Sequence, residues 1–226
     1  MRIQDIIPLS IRKSLLKVHQ SWLWPKTLEA YKAEIEANRI PSQELIKKLV
    51  YAWGNQGFSA QIDYIQTCIE KTMKSEGMIF ECGSGLSTIL LGVIAKKQNR
   101  KMVPFEHIDF WAQRIQKELD KNQMSNNTIY NRPLKDYGPY AWYDIDGFEC
   151  EKIGLCICDA PPGDTKGGRR GFLYLFKDYF LPNAVILVDD TIREDEQKMI
   201  QEWDKELPMS IEFSGVFDPH AILRIH

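Results

Sequence analysis

From Gly77 onward, short uninterrupted apolar runs alternate with amphipathic stretches, and this alternation restricts the fold more than any other feature of the sequence. Met78-Ile79-Phe80, Met102-Val103-Pro104-Phe105, Thr128-Ile129-Tyr130, Ile153 to Cys158 and Ala184 to Val188 read as strands. The last two are continuous runs of the kind that a parallel sheet buries on both faces. Between the strands, Leu86 to Lys96 reads as a helix, as does the stretch where Trp111, Ile115 and Leu119 align. Thr191-Ile192-Arg193-Glu194 fits a capping box that opens a helix carrying Met199, Ile200, Trp203 and Leu207. Ser210 to Phe217 and Ala221 to Ile225 read as two strands around Asp218-Pro219. The pattern predicts an α/β domain over residues 76–226, with a doubly wound, mostly parallel sheet and an antiparallel C-terminal hairpin.

Residues 1–75 read as a helical extension or lid. Leu45, Ile46, Leu49, Val50 and Trp53 share one face after a Ser42 cap, and Ile62, Ile65, Ile69 and Met73 repeat the pattern after Ser59. Pro25 and Pro41 punctuate the region, and Gly54-Asn55-Gln56-Gly57 separates the two helices. Trp22, Trp24 and Tyr31 follow no clean period, so a lid, a dimer contact and plain packing all fit.

A chain of 226 residues suits one α/β domain with an appendage. Its formal net charge of -2 gives no global field for nucleic acid or acidic lipid, although it leaves room for a local basic patch. Cys68, Cys82, Cys150, Cys156 and Cys158 are too few and too irregular for a disulfide framework, and buried reduced thiols are expected. The charged start Met1-Arg2-Ile3-Gln4-Asp5 does not read as a signal peptide, and no apolar run approaches the ~20 residues of a membrane span. A cytoplasmic location is expected.

The first strand leads into Glu81-Cys82-Gly83-Ser84-Gly85-Leu86-Ser87-Thr88. Gly83 and Gly85 allow a sharp turn and a close approach to a ligand, and the following helix directs free N–H groups at an anionic group. A dinucleotide fingerprint would need glycine at Thr88, which argues against a pyrophosphate cofactor. An acid, Glu81, ends the strand instead, as suits a ligand carrying an ammonium and a sulfonium. Glu106, in Phe105-Glu106-His107, stands 25 positions later at the end of the next strand. A carboxylate there can accept hydrogen bonds from both hydroxyls of a ribose; a solvated loop acid is the bland alternative.

On these residues the chain resembles the class I S-adenosylmethionine-dependent methyltransferases. Glu81 to Gly85 looks like their first motif, and Glu106 resembles their ribose acid. A wider set is similar to a bacterial group of that class: Trp53-Gly54-Asn55, Trp111, Pro133-Leu134, Trp142-Tyr143-Asp144, Asp159-Ala160-Pro161-Pro162-Gly163, Arg169-Arg170 and Asp189-Asp190. The likeness covers residues 50–205. Ser87 stands where many relatives have a third glycine, which a helical φ tolerates. The resemblance implies a seven-stranded sheet, bound S-adenosylmethionine and methyl transfer. It implies cofactor contacts from Glu81, Gly83, Ser84, Gly85, Ser87, Glu106, His107, Leu134 and Asp159.

Asp159 closes the fourth strand and is the leading candidate for a catalytic base, while Asp189 and Asp190 close the fifth. Three acids converging at neighbouring strand ends require that one be protonated or that a cation sit among them. Asp159, Asp189 and Asp190 are therefore a candidate site for Mg or Ca, and resemble the acid sets of metal-dependent O-methyltransferases. The alternatives are that Asp190 bonds to backbone or to an arginine, and that the pair merely starts a helix. Asp164 to Gly171, with Arg169 and Arg170, reads either as a substrate-gripping loop or as a solvated turn.

The expected reaction is O-methylation of a small molecule. An aminopropyltransferase-like enzyme on the same fold and a non-catalytic interaction module are the alternatives. No aromatic follows Asp159-Ala160-Pro161-Pro162 to stack a flipped base, so no nucleic-acid partner is expected. No membrane partner is expected either, and the N-terminal helices are a candidate homodimer contact.

Overall fold

In the computed structural model, which describes residues 8–55, 60–124, 127–216 and 218–226, the amino-terminal region is helical. Helix α1 spans Leu9–Glu36 and α2 spans Gln43–Trp53. Ser42 caps α2 as expected, its side chain accepting the Leu45 N–H at 3.3 Å. Gly54 ends that helix with φ of 77°, the left-handed conformation that glycine adopts without steric cost. Leu28, Tyr31 and Ile35 of α1 and Ile46 and Leu49 of α2 are buried, and the Trp24 and Trp53 rings lie 5.0 Å apart. Pro25 lies inside α1 rather than at its end, and the helix runs on through it. The chain divides into two units, Met1–Ile62 and Asp63–His226.

Helix α3, Ile62–Lys74, is tied to the second unit. The Tyr64 hydroxyl donates to Leu187 O at 3.1 Å, and the Tyr64 N–H donates to Asp218 Oδ2 at 3.4 Å. Ser59, expected to cap this helix, lies outside the described residues.

The sheet strands are β1 (Met78–Cys82), β2 (Met102–Glu106), β3 (Tyr130–Asn131), β6 (Ile153–Cys158), β7 (Phe180–Val188), β8 (Met209–Ser214) and β9 (His220–Ile225). Strands β4 (Leu134–Asp136) and β5 (Ala141–Tyr143) form a separate hairpin. The seven-stranded order is β3-β2-β1-β6-β7-β9-β8, with only β9 antiparallel to its neighbours, so the expected sheet and terminal hairpin are both present. Helices α4 (Leu86–Lys97), α5 (Asp109–Lys121), α6 (Gly171–Phe176) and α7 (Glu194–Glu206) connect the strands.

The central strands β1, β2 and β6 are buried at every position, which is why their sequences show no polar alternation. One sheet face packs Phe80, Phe105, Cys82, Cys156 and Cys158 against Trp142, Phe172, Phe176 and Trp203. All five cysteines are free thiols, and burial pushes the Cys156 thiol up to about 12. The other face carries Glu81, pointing to α4. The chain builds outward from β1 through β2 to β3, then returns to place β6 on the other side of β1. That reversal opens a crevice at the carboxyl ends of β1 and β6, where open α/β sheets bind ligands.

Two local expectations are corrected. No capping box opens α7: the helix begins at Glu194 after Arg193, whose side chain makes no capping hydrogen bond. The Thr191 hydroxyl is buried without a hydrogen-bond partner among the described residues. Asp189 and Asp190 accordingly sit on the loop before the helix, not in its first turn.

Gly154 marks the tightest backbone approach near the start of the sheet. A Cβ there would lie 1.7 Å from Glu76 O. Gly154→Ala is expected to cost about 2 kcal/mol or more by overpacking, read as a lower midpoint in urea. An unchanged midpoint would contradict this register of β6 against the chain entering β1.

Candidate functional site

Four strand ends lie side by side at the crevice. Gly83 N donates to Phe105 O at 2.9 Å, Asp159 N to Cys82 O at 3.4 Å and Asp189 N to Cys158 O at 3.2 Å. The order across the site is therefore Glu106 on β2, the glycine loop after β1, Asp159 after β6 and Asp189 after β7. With strands spaced about 4.8 Å apart, Glu106 and Asp159 are on the order of 10 Å from each other across β1. This distance suits a nucleoside joined to a short polar chain.

The loop is held from inside. Glu81 is 1% exposed, and its two oxygens accept hydrogen bonds from the Ser87 hydroxyl at 2.6 Å and the Thr88 hydroxyl at 2.7 Å. Thr88 Oγ1 in turn accepts the Gly85 N–H at 2.8 Å. Trp111, on α5, donates from Nε1 to Ser84 O at 2.6 Å. Gly83 has φ of 93°, and a Cβ there would stand 2.8 Å from the Ala160 Cβ, so glycine is required on both counts. At Gly85 an added Cβ would meet nothing within 4 Å. The crest of the loop is open space.

Glu106 is 4% exposed. Its Oε1 accepts the N–H groups of His107 at 2.8 Å and Ile108 at 2.9 Å, and its Oε2 accepts the Ser84 hydroxyl at 2.9 Å. Burial works to raise its pKa, but the bonds from His107, Ile108 and Ser84 outweigh it and hold the group below the ordinary glutamate range. His107 stands beside it, its Nδ1 3.3 Å from Glu106 Oε1 without hydrogen-bond geometry. Leu134 opens β4 and pairs with Tyr143 on β5; the Tyr143 ring lies edge-on to His107 with centroids 6.0 Å apart. Tyr143 is fully buried, and its hydroxyl has no hydrogen-bond partner among the described residues.

Asp159, Asp189 and Asp190 converge as expected, with one oxygen from each lying within 4.8 Å of the others. The cation among them is Arg169, which is 3% exposed. Its Nη2 donates to Asp190 Oδ2 at 2.8 Å, Asp159 Oδ1 at 3.2 Å and Asp159 O at 3.0 Å. Its Nη1 donates to Asp189 O at 2.7 Å and Cys158 O at 3.4 Å. Asp190 adopts a φ of 60° and also takes a 3.0 Å ion pair from Arg193. Arg170 is paired with Glu202 on α7. Neither arginine of the 164–171 loop is thus an unattached anion gripper.

Burial raises Glu81, Asp159 and Asp189. Glu81 is pushed up to about 8, the two hydroxyl bonds opposing the shift and the charges of Asp159 and Glu106 adding to it. Asp159 and Asp189 are both raised, by burial first; the Asp159 charge raises Asp189 further, whereas Arg169 pulls Asp159 down. Both shifts favour the protonated form, and the pull of Arg169 makes Asp159 the readier to ionise.

The residues that sequence reasoning undervalued are Thr88, Trp111, Tyr143 and Arg169. The hydroxyls at six and seven positions after Glu81 were the available signal for the loop clamp. The three converging acids were the signal for an internal cation. An open groove of about 470 Å³, lined by Lys71, Glu76, Gly154, Leu181 and Arg224, lies at the opposite end of the sheet and borders none of the expected site residues.

No protein-family model and no curated protein sequence matches the chain. Solved structures share its fold. An O-methyltransferase from Bacillus cereus in complex with SAH aligns over 89% of this chain and 91% of its own, with a TM-score of 0.54 and 14% identity. A putative O-methyltransferase from Klebsiella pneumoniae aligns over 87% of this chain and 96% of its own, at a TM-score of 0.55 and 14% identity. The SAH-bound methyltransferase PaMTH1 from Podospora anserina covers 97% and 98%, at a TM-score of 0.54 and 15% identity. The chain therefore has the Rossmann-like fold of the S-adenosylmethionine-dependent methyltransferases, as its sequence resemblance implies.

Removing Arg169 leaves three carboxyl groups without their internal counter-charge. Arg169→Met is expected to destabilise the protein by about 3 kcal/mol or more in denaturant titration at neutral pH. A loss under about 1 kcal/mol would show that the acids do not depend on it.

Proposed function

We propose that the chain is an S-adenosylmethionine-dependent methyltransferase acting on a small molecule, with a hydroxyl as the methyl acceptor. The observation that carries this reading is the alignment of Glu106, the open glycine loop and Asp159 on three neighbouring strand ends at the reversal of strand order. The solved structures with this fold that hold SAH, the demethylated product of that cofactor, support it.

The residues fit the cofactor. Open space over Gly85 lets a ligand lie against backbone N–H groups at the start of α4, which suit a carboxylate. Glu106, ionised and pre-oriented by two backbone donors, accepts two ribose hydroxyls once the Ser84 hydroxyl rotates away. Until a ligand arrives, the Ser84 hydroxyl keeps the carboxylate satisfied. His107 and Leu134 flank that end of the crevice and serve the adenine side. Glu81 acts through the loop it clamps and through its charge, because its oxygens are already engaged.

When bound, the cofactor supplies a methyl carbon activated by its sulfonium. The chain must then align a nucleophile and exclude water, and alignment is worth up to ~10 kcal/mol of barrier. Asp159 is the acid suited to accept the hydroxyl proton: it is partly exposed, and burial with its neighbours lifts it toward neutrality. Arg169 holds it in place and limits that rise. A divalent metal at Asp159, Asp189 and Asp190 would have to displace a guanidinium bonded to two of the three acids, so no step is assigned to Mg or Ca. Heat from Mg²⁺ titrated in the presence of SAH would restore the metal.

Glu106→Ala is expected to weaken SAH binding in calorimetry by roughly tenfold or more while leaving thermal melting within a few degrees. Equal affinity would remove the ribose assignment. Transfer of labelled methyl groups from S-adenosylmethionine to hydroxylated small molecules, lost in Asp159→Asn, tests the reaction itself; transfer to amines alone would overturn the O-methylation reading.

The pKa shifts give a pH dependence. Glu81 binds a proton below about 8, and a bound cation favours its ionised form. Binding therefore releases a proton, and S-adenosylmethionine affinity should rise between pH 6 and pH 8 on the order of several-fold. A flat or falling affinity across that window would contradict the coupling.

A further inference from the structure

The first three turns of α1 bury nothing. From Pro8 to His19 every side chain is exposed, and burial begins at Gln20. An isolated helical segment of this length is marginal in water and gains stability from a face that packs on something. Ile11, Leu15, Val18 and Trp22 supply such a face, with exposures of 49%, 58%, 68% and 59%. Their spacing of four, three and four residues confines them to a sector about 60° wide. Gln20, Trp24, Thr27, Leu28 and Tyr31, which are buried in the same helix, fall on the opposite side. The outer stripe is thus separate from the contact with α2.

The charge of this segment is one-sided. Residues 8–28 contain Arg12, Lys13, Lys17 and Lys26 and no aspartate or glutamate, within a chain whose net charge is -2. The Lys26 ammonium lies 3.4 Å over the Trp22 ring. An aromatic ring that is apolar on its body and polar at its edge, beside a lysine whose stem follows the apolar surface, suits a boundary between oil and water.

We infer that this face of α1 docks on an anionic bilayer surface, the helix lying in the headgroup plane with the Ile11–Trp22 stripe inward. No helix among the described residues is long and apolar enough to cross a membrane, so the contact is one of lying on the surface. A second copy of the chain fits the stripe less well. Arg12 and Lys26 border it along one side, so antiparallel pairing would set like charges together, and parallel pairing would set them against Ser14 and Ser21 without an ion pair. Anionic headgroups answer all of these charges. The expectation of no membrane partner, drawn from the net charge and the lack of a spanning apolar run, leaves room for a local basic patch, and this segment supplies one.

The test is co-sedimentation of the full chain with vesicles of phosphatidylcholine containing one quarter phosphatidylglycerol, against vesicles of phosphatidylcholine alone. Binding to the anionic vesicles should be roughly tenfold tighter or more, and should weaken several-fold between 0.1 and 0.5 M NaCl. Arg12→Glu with Lys26→Glu, which border the stripe, and separately Leu15→Ser with Trp22→Ser, should each reduce it about tenfold or more. Unchanged melting and unchanged SAH affinity in these variants would show that the fold is retained. Equal binding to both vesicle types, no binding to either, or binding unaffected by both double variants would overturn the inference. So would a dimer in analytical ultracentrifugation that Leu15→Ser with Trp22→Ser dissociates, if the wild type ignores anionic vesicles.

Discussion

The carboxyl edge of the sheet depends on one guanidinium. Arg169 reaches from the loop before α6 into the ends of β6 and β7, where it bonds two side-chain carboxylates and three backbone carbonyls. Two kinds of cost are met at once by this geometry. Carbonyls at buried strand ends lack ladder partners, and carboxylates a few ångströms apart cannot all ionise without a counter-charge. With Arg169 in place, Asp159 is fixed in orientation and its proton affinity is kept near the range useful at neutral pH. Asp190, in a left-handed backbone conformation, is pinned between Arg169 and Arg193.

The neighbouring strand ends divide their work differently. Glu81 and Glu106 look alike in the sequence, each an acid closing a strand, yet their environments push them in opposite directions. Glu81 faces α4, receives only hydroxyl donors and is raised; Glu106 receives two backbone N–H groups and a hydroxyl and is lowered. The first shapes the loop and couples it to protons. The second is held toward its charged form, as the ribose role proposed for it requires. A further consequence is order in the crevice, since Ser84, bonded to both Trp111 and Glu106 through its carbonyl and hydroxyl, connects the loop to the second strand before any ligand arrives.

Much of the second unit was legible because buried parallel strands have an unmistakable composition: Ile153 to Cys158 and the run ending at Val188 admit no polar residue. The glycine loop was legible because Gly83 is dictated by backbone geometry. Helix α1 was not. Its two apolar stripes lie on opposite sides, Ile11 to Trp22 outward and Trp24 to Tyr31 inward, so no single helical period stands out and Pro25 reads as a boundary. The false capping box at Thr191 has a similar cause: local spacing satisfied the pattern, while the bond of the Thr191 N–H to Pro219 O fixed the chain otherwise. The role of Arg169 was visible only as a requirement. Three acids at one edge need a proton or a cation, but which residue supplies it depends on a turn ten positions away in sequence. Net charge likewise hid the basic first turns of α1.

A crystal structure of the protein grown with SAH tests the account most directly. The account places the ribose hydroxyls on Glu106 and the amino-acid carboxylate over Gly85 at the start of α4, with the sulfur toward Asp159 and Arg169 still bonded to the acids. Density for SAH elsewhere, a crevice without SAH at saturating ligand, or a metal ion in place of the Arg169 guanidinium would contradict it.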